Sequence, residues 1–163
     1  MHTYQRAHDV AISSMILDNT FLYTADQSGY VNKFSIENKV LCQKLGCITK
    51  EAILSMALSR DNTYLFAGDA NGHIKQVDVS QDKISIKKNF TKLHSYDVKS
   101  MVSYQNSIYS ADALGYFNRI DLTEDRDDEA TTQSCGRLHK ASVNDMKVSH
   151  KGGFLYAADS YAY

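Results

Sequence analysis

Ala25-Asp26 with Gly29, Gly68-Asp69 with Gly72, Ala111-Asp112 with Gly115, and Ala158-Asp159 are one motif returning along a 163-residue chain, its aspartates 43, 43 and 47 residues apart. A fixed period of that size constrains the fold strongly, because each repeat is a unit that cannot bury its apolar face alone and must stack on its neighbours. The motif has a local rationale as well. An aspartate carboxylate accepts hydrogen bonds from amides a few residues on, and glycine takes the positive φ that other residues resist. Asp26, Gly29, Asp69, Gly72, Asp112, Gly115 and Asp159 are therefore expected to build tight turns.

Upstream of each turn stands a β-branched residue followed three positions later by methionine: Ile12 and Met15, Ile53 and Met56, Val98 and Met101, Val143 and Met146. Leu17, Leu58 and Val148 extend the alternation, with Ser103 the exception, so the sequence repeats one half-buried strand four times. All eight β-branched and methionine residues are expected to be buried. Turn signals follow at Asp18-Asn19, Asp61-Asn62, Gln105-Asn106-Ser107 and Gly152-Gly153, each leading into an aromatic or aliphatic run. These read as hairpins into second strands, with Tyr23, Tyr64, Tyr109 and Tyr156 as packing residues. Third strands are expected at Tyr30 to Ile36, His73 to Val79 and Tyr116 to Leu122, and fourth strands near Val40 to Leu45, Ile84 to Phe90 and Thr131 to Leu138.

Four antiparallel strands per repeat, stacked at this period, describe an all-β array of propeller blades. The approximate repeats are 7-48, 49-92, 93-137 and 138-163, making three full repeats plus the first two strands of a fourth. An outer strand from His2 to Arg6 is expected ahead of the first repeat, and the glycine position of the last turn falls on Ala162. An array of this content is expected to be open, as a piece of a longer protein or as a half propeller completed by a second chain. Val143, Val148 and Leu155 should then be less covered than their counterparts in the second blade. Exposed blade edges invite self-association.

The residues resemble the WD-repeat family in degenerate form. His8, His94 and His139 each precede the β-branched residue by four positions, and the third strands end in Phe34-Ser35, Val77-Asp78 and Ile120-Asp121. The resemblance covers almost the whole chain, with departures. Phe34, Val77 and Ile120 replace the family's tryptophan, Thr49 replaces the second histidine, and Ser28, Asn71 and Leu114 stand where the family places a turn aspartate. The family's stabilising polar network is accordingly expected to be incomplete, with hydrophobic stacking holding the blades. The resemblance implies a protein-interaction scaffold that takes a protein or peptide on the wider loop face. Mapped onto this chain, that face comprises Asp9, Lys50, Glu51, Tyr96, Asp97 and Lys140 on the approaches to the first strands, with Gln27, Asn71, Leu114 and Tyr161 on the turns.

Other chemistries have little support in the residues. His8, His94 and His139 occupy equivalent places in different blades, so they do not converge as metal ligands, and the repeated aspartates lack the dense oxygen spacing of a calcium loop. Ser13, Ser14, Ser55 and Ser100 sit beside the strand methionines with no strained elbow motif. No phosphate loop or zinc helix occurs. No catalytic residue, metal site or cofactor is expected; the alternatives are a propeller enzyme, which needs acids, bases or ligands converging on the axis, and an RNA-binding propeller, which needs a basic track. A formal net charge of −1 disfavours nucleic acid and acidic membranes as partners. No apolar stretch is long enough to cross a bilayer, and Met1 to Val10 has no signal core. Three cysteines, Cys42, Cys47 and Cys135, without a ligand-like pair suggest a reducing, cytoplasmic setting.

One segment breaks the period. Asp121 to Glu129 reads Asp-Leu-Thr-Glu-Asp-Arg-Asp-Asp-Glu and falls in the 47-residue interval, which places it in the loop between the third and fourth strands of blade three. It reads as a solvated acidic loop, and any partner it has should be basic and salt-sensitive.

Overall fold

A computed structural model describes residues 7–38, 40–81, 85–122, 132–149 and 153–161. Strands β1 (Ile12–Leu17), β2 (Phe21–Asp26), β3 (Tyr30–Ser35) and β4 (Val40–Cys47) form the first antiparallel sheet in sequential order. The second is β5 (Ile53–Leu58), β6 (Tyr64–Asp69), β7 (Ile74–Asp78) and β8 (Ser85–Phe90), and the third β9 (Val98–Tyr104), β10 (Ser107–Asp112), β11 (Tyr116–Asp121) and β12 (Thr132–Arg137). β13 (Val143–Val148) pairs with β14 (Leu155–Asp159) as a hairpin. No helix occurs among the described residues, and none is therefore long and apolar enough to cross a membrane. The expected strand at His2 to Arg6, residues 123–129 of the acidic loop, and Ala162 lie outside the described residues.

The hairpin turns follow from their residues. Asp18 Oδ1 accepts the amides of Thr20 and Phe21, each at 2.6 Å, and Asp61 Oδ1 accepts the Thr63 amide at 3.1 Å. Asn62 and Gln105 take left-handed φ of 59° and 52°, and Gly153 takes 91°. Strand β1 runs beside β5, β5 beside β9, and β9 beside β13, so the blades succeed one another in an open line.

Alternation assigns each first strand a rear and a forward face. Ile53, Met56 and Leu58 turn back onto Tyr23, Ala25 and Val31 of blade one in a single apolar cluster. Val98 and Met101 turn back onto Phe66 and Ile74, and Val143 and Met146 onto Ala111 and Phe117. Burial of such side chains contributes about 1.5 to 3 kcal/mol each. Serines stitch the same interfaces. Ser13 Oγ donates to the Ile53 carbonyl, and Ser55 Oγ to the Val98 carbonyl at 2.8 Å.

Two expectations about burial fail, for one reason. Ile12 and Met15 are exposed at 47% and 65%, as is Leu17 at 66%, because they form the rear face of blade one, with no preceding blade against them among the described residues. Val143, in contrast, is fully buried, because its rear face meets blade three; the lesser cover of the last hairpin falls on Val148, which is half-buried where Leu58 is buried, and on Leu155, Tyr156 and Phe154. Leu155 is exposed where its counterpart Leu65 is buried. Tyr156 is thus not a packing residue here, whereas Tyr23 is, and Tyr64 and Tyr109 are half-buried. Among the described residues, the rear of the first blade as well as the last hairpin carries exposed apolar side chains.

Candidate partner-binding face

The turns between second and third strands and the loops approaching the first strands meet at one end of the blades. Asp26 Oδ1 accepts the amides of Ser28 at 2.9 Å and Tyr30 at 3.0 Å. Asp69 accepts those of Asn71 and His73, and Asp112 those of Leu114 and Tyr116, at the same two distances. Asp159 Oδ1 accepts the Tyr161 amide at 3.1 Å. Gly29, Gly72 and Gly115 take φ of 83°, 82° and 86°. Each turn is also clamped by the loop into the next blade. Ile48 N donates to Gly29 O at 2.8 Å, His94 N to Gly72 O at 3.1 Å and Leu138 N to Gly115 O at 3.0 Å. A Cβ at any of these three glycines would overlap the carbonyl of Thr49, His94 or His139 respectively.

Beneath this frame lies a polar network that the sequence reading expected to be incomplete. His8 Nδ1 lies 2.6 Å from Asp26 Oδ2 and its Nε2 2.6 Å from Thr24 Oγ1. His94 repeats the arrangement with Asp112 at 3.2 Å and Ser110 at 2.8 Å, and His139 Nδ1 lies 2.8 Å from Asp159 Oδ2. The aspartate of the turn itself supplies the acid, so its absence six residues before Phe34 or Ile120 does not matter. Each histidine is satisfied within its own blade, and among the described residues no group of three or more His, Cys, Asp or Glu side chains could hold a metal ion.

A third-strand side chain completes the network by fixing the approach loop. Asn32 Nδ2 donates to the Ala7 carbonyl and Asn118 Nδ2 to the Leu93 carbonyl at 2.8 Å, in each case the residue before the histidine. In blade two Lys75 Nζ reaches the equivalent Ile48 carbonyl at 2.7 Å, and Thr49 Oγ1 donates to Asp69 Oδ2 at 3.1 Å. The blade without histidine thus keeps both links by different chemistry.

The electrostatics follow from burial and hydrogen bonding. Burial pushes the Asp26 carboxyl up, but the Tyr30 amide, His8 and Ser28 outweigh it and hold the group below the usual carboxylate range. Burial dominates at His94, whose pKa is lowered despite the opposing pull of Asp112. Asp112 at Nδ1 and Ser110 at Nε2 occupy both ring nitrogens.

On this frame Asp9, Gln27, Lys50, Asn71, Tyr96, Lys140 and Tyr161 are exposed, and Glu51, Asp97 and Leu114 are half-buried. Not all come together. Asn71, Tyr96 and Asp97 line one groove of 540 Å³ with His73 and Lys92, while Tyr96 and Leu114 line a second of 610 Å³ with Tyr116 and Ser134. The Glu51 carbonyl lies beside the preceding turn, where it would crowd a Cβ placed on Gly29. Asp97 is paired with Lys99 at 3.3 Å. The sequence reading missed Lys92, held at φ 54° between the two grooves, and Arg137, whose guanidinium binds the carbonyls of Leu114, His139 and Lys140. Both stand two residues before a repeat histidine, as Arg6 does before His8, while blade two has Cys47 at that offset from Thr49; this recurrence of a basic residue is the signal that could have found them.

No family model matches the chain, and no curated protein matches it. Solved structures do. A structure of U3-55K and a crystal structure of RRP9 WD40 repeats each superpose with a TM-score of 0.72 at 18% identity, over 86% of this chain and 43% of theirs. The fold is that of WD40-repeat propeller blades, and the chain spans less than half the length of those two structures.

Proposed function

We propose that this chain is a non-catalytic interaction scaffold that takes a protein or peptide on its loop-and-turn face. The observation that carries the reading is the contrast between frame and surface. Asp26, Asp69 and Asp112 hold their turns through the same pair of amide bonds, while the exposed residues above them vary: one equivalent position carries Asp9, Lys50, Ser95 and Lys140, and Gln27, Asn71 and Tyr96 have no identical counterpart in another blade. Rigid presentation of varied side chains lowers the ordering cost of binding, and a tyrosine flanked by two grooves suits a central anchor. A cytoplasmic setting belongs to the same proposal, supported by Cys47 and Cys135 as exposed thiols outside any disulfide.

The test is affinity capture with the intact chain, followed by the Asn71→Ala/Tyr96→Ala double variant and, as a control at the opposite end of blade two, Arg60→Ala. The reading expects a protein retained by the parent and the control and lost from the double variant. Equal retention by all three, or retention of nucleic acid alone, would overturn it.

A further inference from the structure

One side chain on the approach loops is left without a structural role. Cys47, Lys92 and Arg137 hold equivalent positions, two residues before Thr49, His94 and His139. Cys47 Sγ donates to the Thr49 carbonyl at 2.9 Å, and the Arg137 guanidinium donates to the carbonyls of Leu114, His139 and Lys140, so both tie down the loop they enter. The Lys92 side chain makes no hydrogen bond or ion pair with any described residue. Its backbone is also held at a left-handed φ of 54°, whereas the neighbouring loops put a glycine in that region one residue earlier, Gly46 at 94° and Gly136 at 81°. Such a φ is uncommon for a residue with a side chain. The exposed lysine stands between two grooves and lines both, as does Tyr96, which is 48% exposed.

The other charged groups that line these grooves are matched. Asp97 pairs with Lys99 at 3.3 Å, His73 lies 3.4 Å from Asp69, and the buried Asp112 is taken up by His94 and by the amides of Leu114 and Tyr116. Lys50, Lys140, Asp9 and Glu51 line neither groove. Among the described residues, Lys92 is thus the unmatched charge of both grooves. We infer, resting on the scaffold reading above, that the partner presents an acidic peptide segment: an Asp or Glu carboxylate on Lys92 Nζ, with the adjoining chain laid over Tyr96. One ammonium is a point charge that one carboxylate satisfies. Hydroxyls of Ser95, Tyr116 and Ser134 along one groove and the Asn71 amide in the other suit a peptide backbone on either side of that contact. A phosphorylated residue would bring about two negative charges beside Asp97 and call for more donors, of the kind an arginine cluster supplies. RNA would call for a continuous basic track.

Selection of a random peptide library on the immobilised whole chain tests this, followed by solution binding of one enriched synthetic peptide. Asn and Asp tolerate a left-handed φ, so Lys92→Asn and Lys92→Asp change the charge without adding backbone strain, and circular dichroism checks that the sheet content is kept. The parent is expected to enrich peptides carrying Asp or Glu, and Lys92→Asp to enrich a basic residue in its place. Converting the peptide's acidic residue to its amide is expected to weaken binding about fivefold on the parent but less than about twofold on Lys92→Asn, the scale of an exposed ion pair. Enriched peptides that lack an acidic residue and are lost from the Asn71→Ala/Tyr96→Ala double variant would overturn the acidic segment while leaving the scaffold reading in place. Enriched peptides that the double variant retains would count against both. No enriched peptide, or an acid-to-amide loss of equal size on the parent and Lys92→Asn, would also overturn the inference. So would tighter binding of the phosphoserine form of the peptide, or its displacement by an oligouridine at physiological salt.

Discussion

Gly72 and His94 are locked together across two blades: the His94 amide donates to the Gly72 carbonyl at 3.1 Å, and the His94 carbonyl fills the space a Cβ at Gly72 would need. The same histidine reaches forward into blade three through Asp112 and Ser110. One residue therefore ties the turn of one blade to the network of the next, and that coupling makes separate loops into one face.

Gly72→Ala should be severe. The backbone stands at φ 82°, where a side chain is strained, and the new carbon meets backbone rather than a side chain able to swing away. A loss on the order of 3 kcal/mol is expected in denaturant unfolding. A loss indistinguishable from that of an ordinary surface substitution would show that the clamp yields.

His94→Ala should cost more than Thr49→Ala, although the two positions are equivalent. His94 has a fully buried side chain and bonds to Asp112 and Ser110, whereas Thr49 offers one hydroxyl to Asp69. Truncation at His94 leaves buried partners unsatisfied, for a loss of roughly 2 to 4 kcal/mol, against about 1 kcal/mol at Thr49. Equal losses in a parallel unfolding series would contradict this ordering.

Acid should act through the same histidine. The folded-state pKa of His94 lies below its ordinary value of 6.5, chiefly from burial, so the folded protein binds fewer protons than the unfolded chain. The stability linked to His94 is therefore full above about pH 6.5 and lost as pH falls through the lowered folded pKa. His94→Gln, which cannot titrate, should close part of its stability gap to the parent between pH 8 and pH 5. A gap that stays constant or widens on acidification would refute the sign.

Ser55→Ala removes a hydroxyl that spans two blades to the Val98 carbonyl at 2.8 Å. The expected loss is about 1 to 2 kcal/mol, since a buried acceptor goes unpaired. Ser103→Ala, on a half-buried serine lacking an equivalent bridge among the described hydrogen bonds, should cost less in the same assay. The reverse order would remove the serine bridge from the account.

Much of the fold was legible because its signals are local and periodic. The Ile12 to Met146 series names the first strands, and each Asp-x-x-Gly names a turn whose chemistry lies within five residues. The exposure of Met15 was not legible. Alternation tells which side of a strand is apolar, yet whether a neighbour stands against that side depends on the blade before it. The polar network was legible in part: it lacks a tryptophan, a histidine in blade two and a hydroxyl beside His139, as expected, but the links of Thr24 and Ser110, two residues before Asp26 and Asp112, and of Asn32 and Asn118, six residues after, were not read. The grouping of Asn71, Tyr96 and Asp97 was equally hidden, because a clamp between blades, not spacing along the chain, brings them to one groove.

Native-state hydrogen exchange at the amides of Ile48, His94 and Leu138 tests the central claim, that the clamps unite the loops into one rigid face. These three amides donate to Gly29, Gly72 and Gly115 of the preceding blade. The account predicts protection matching that of the buried strands β6 and β10, because opening a clamp requires two blades to part. Exchange at the rate of an unprotected surface loop, with the strands still protected, would show that the loops move independently and that no common face exists.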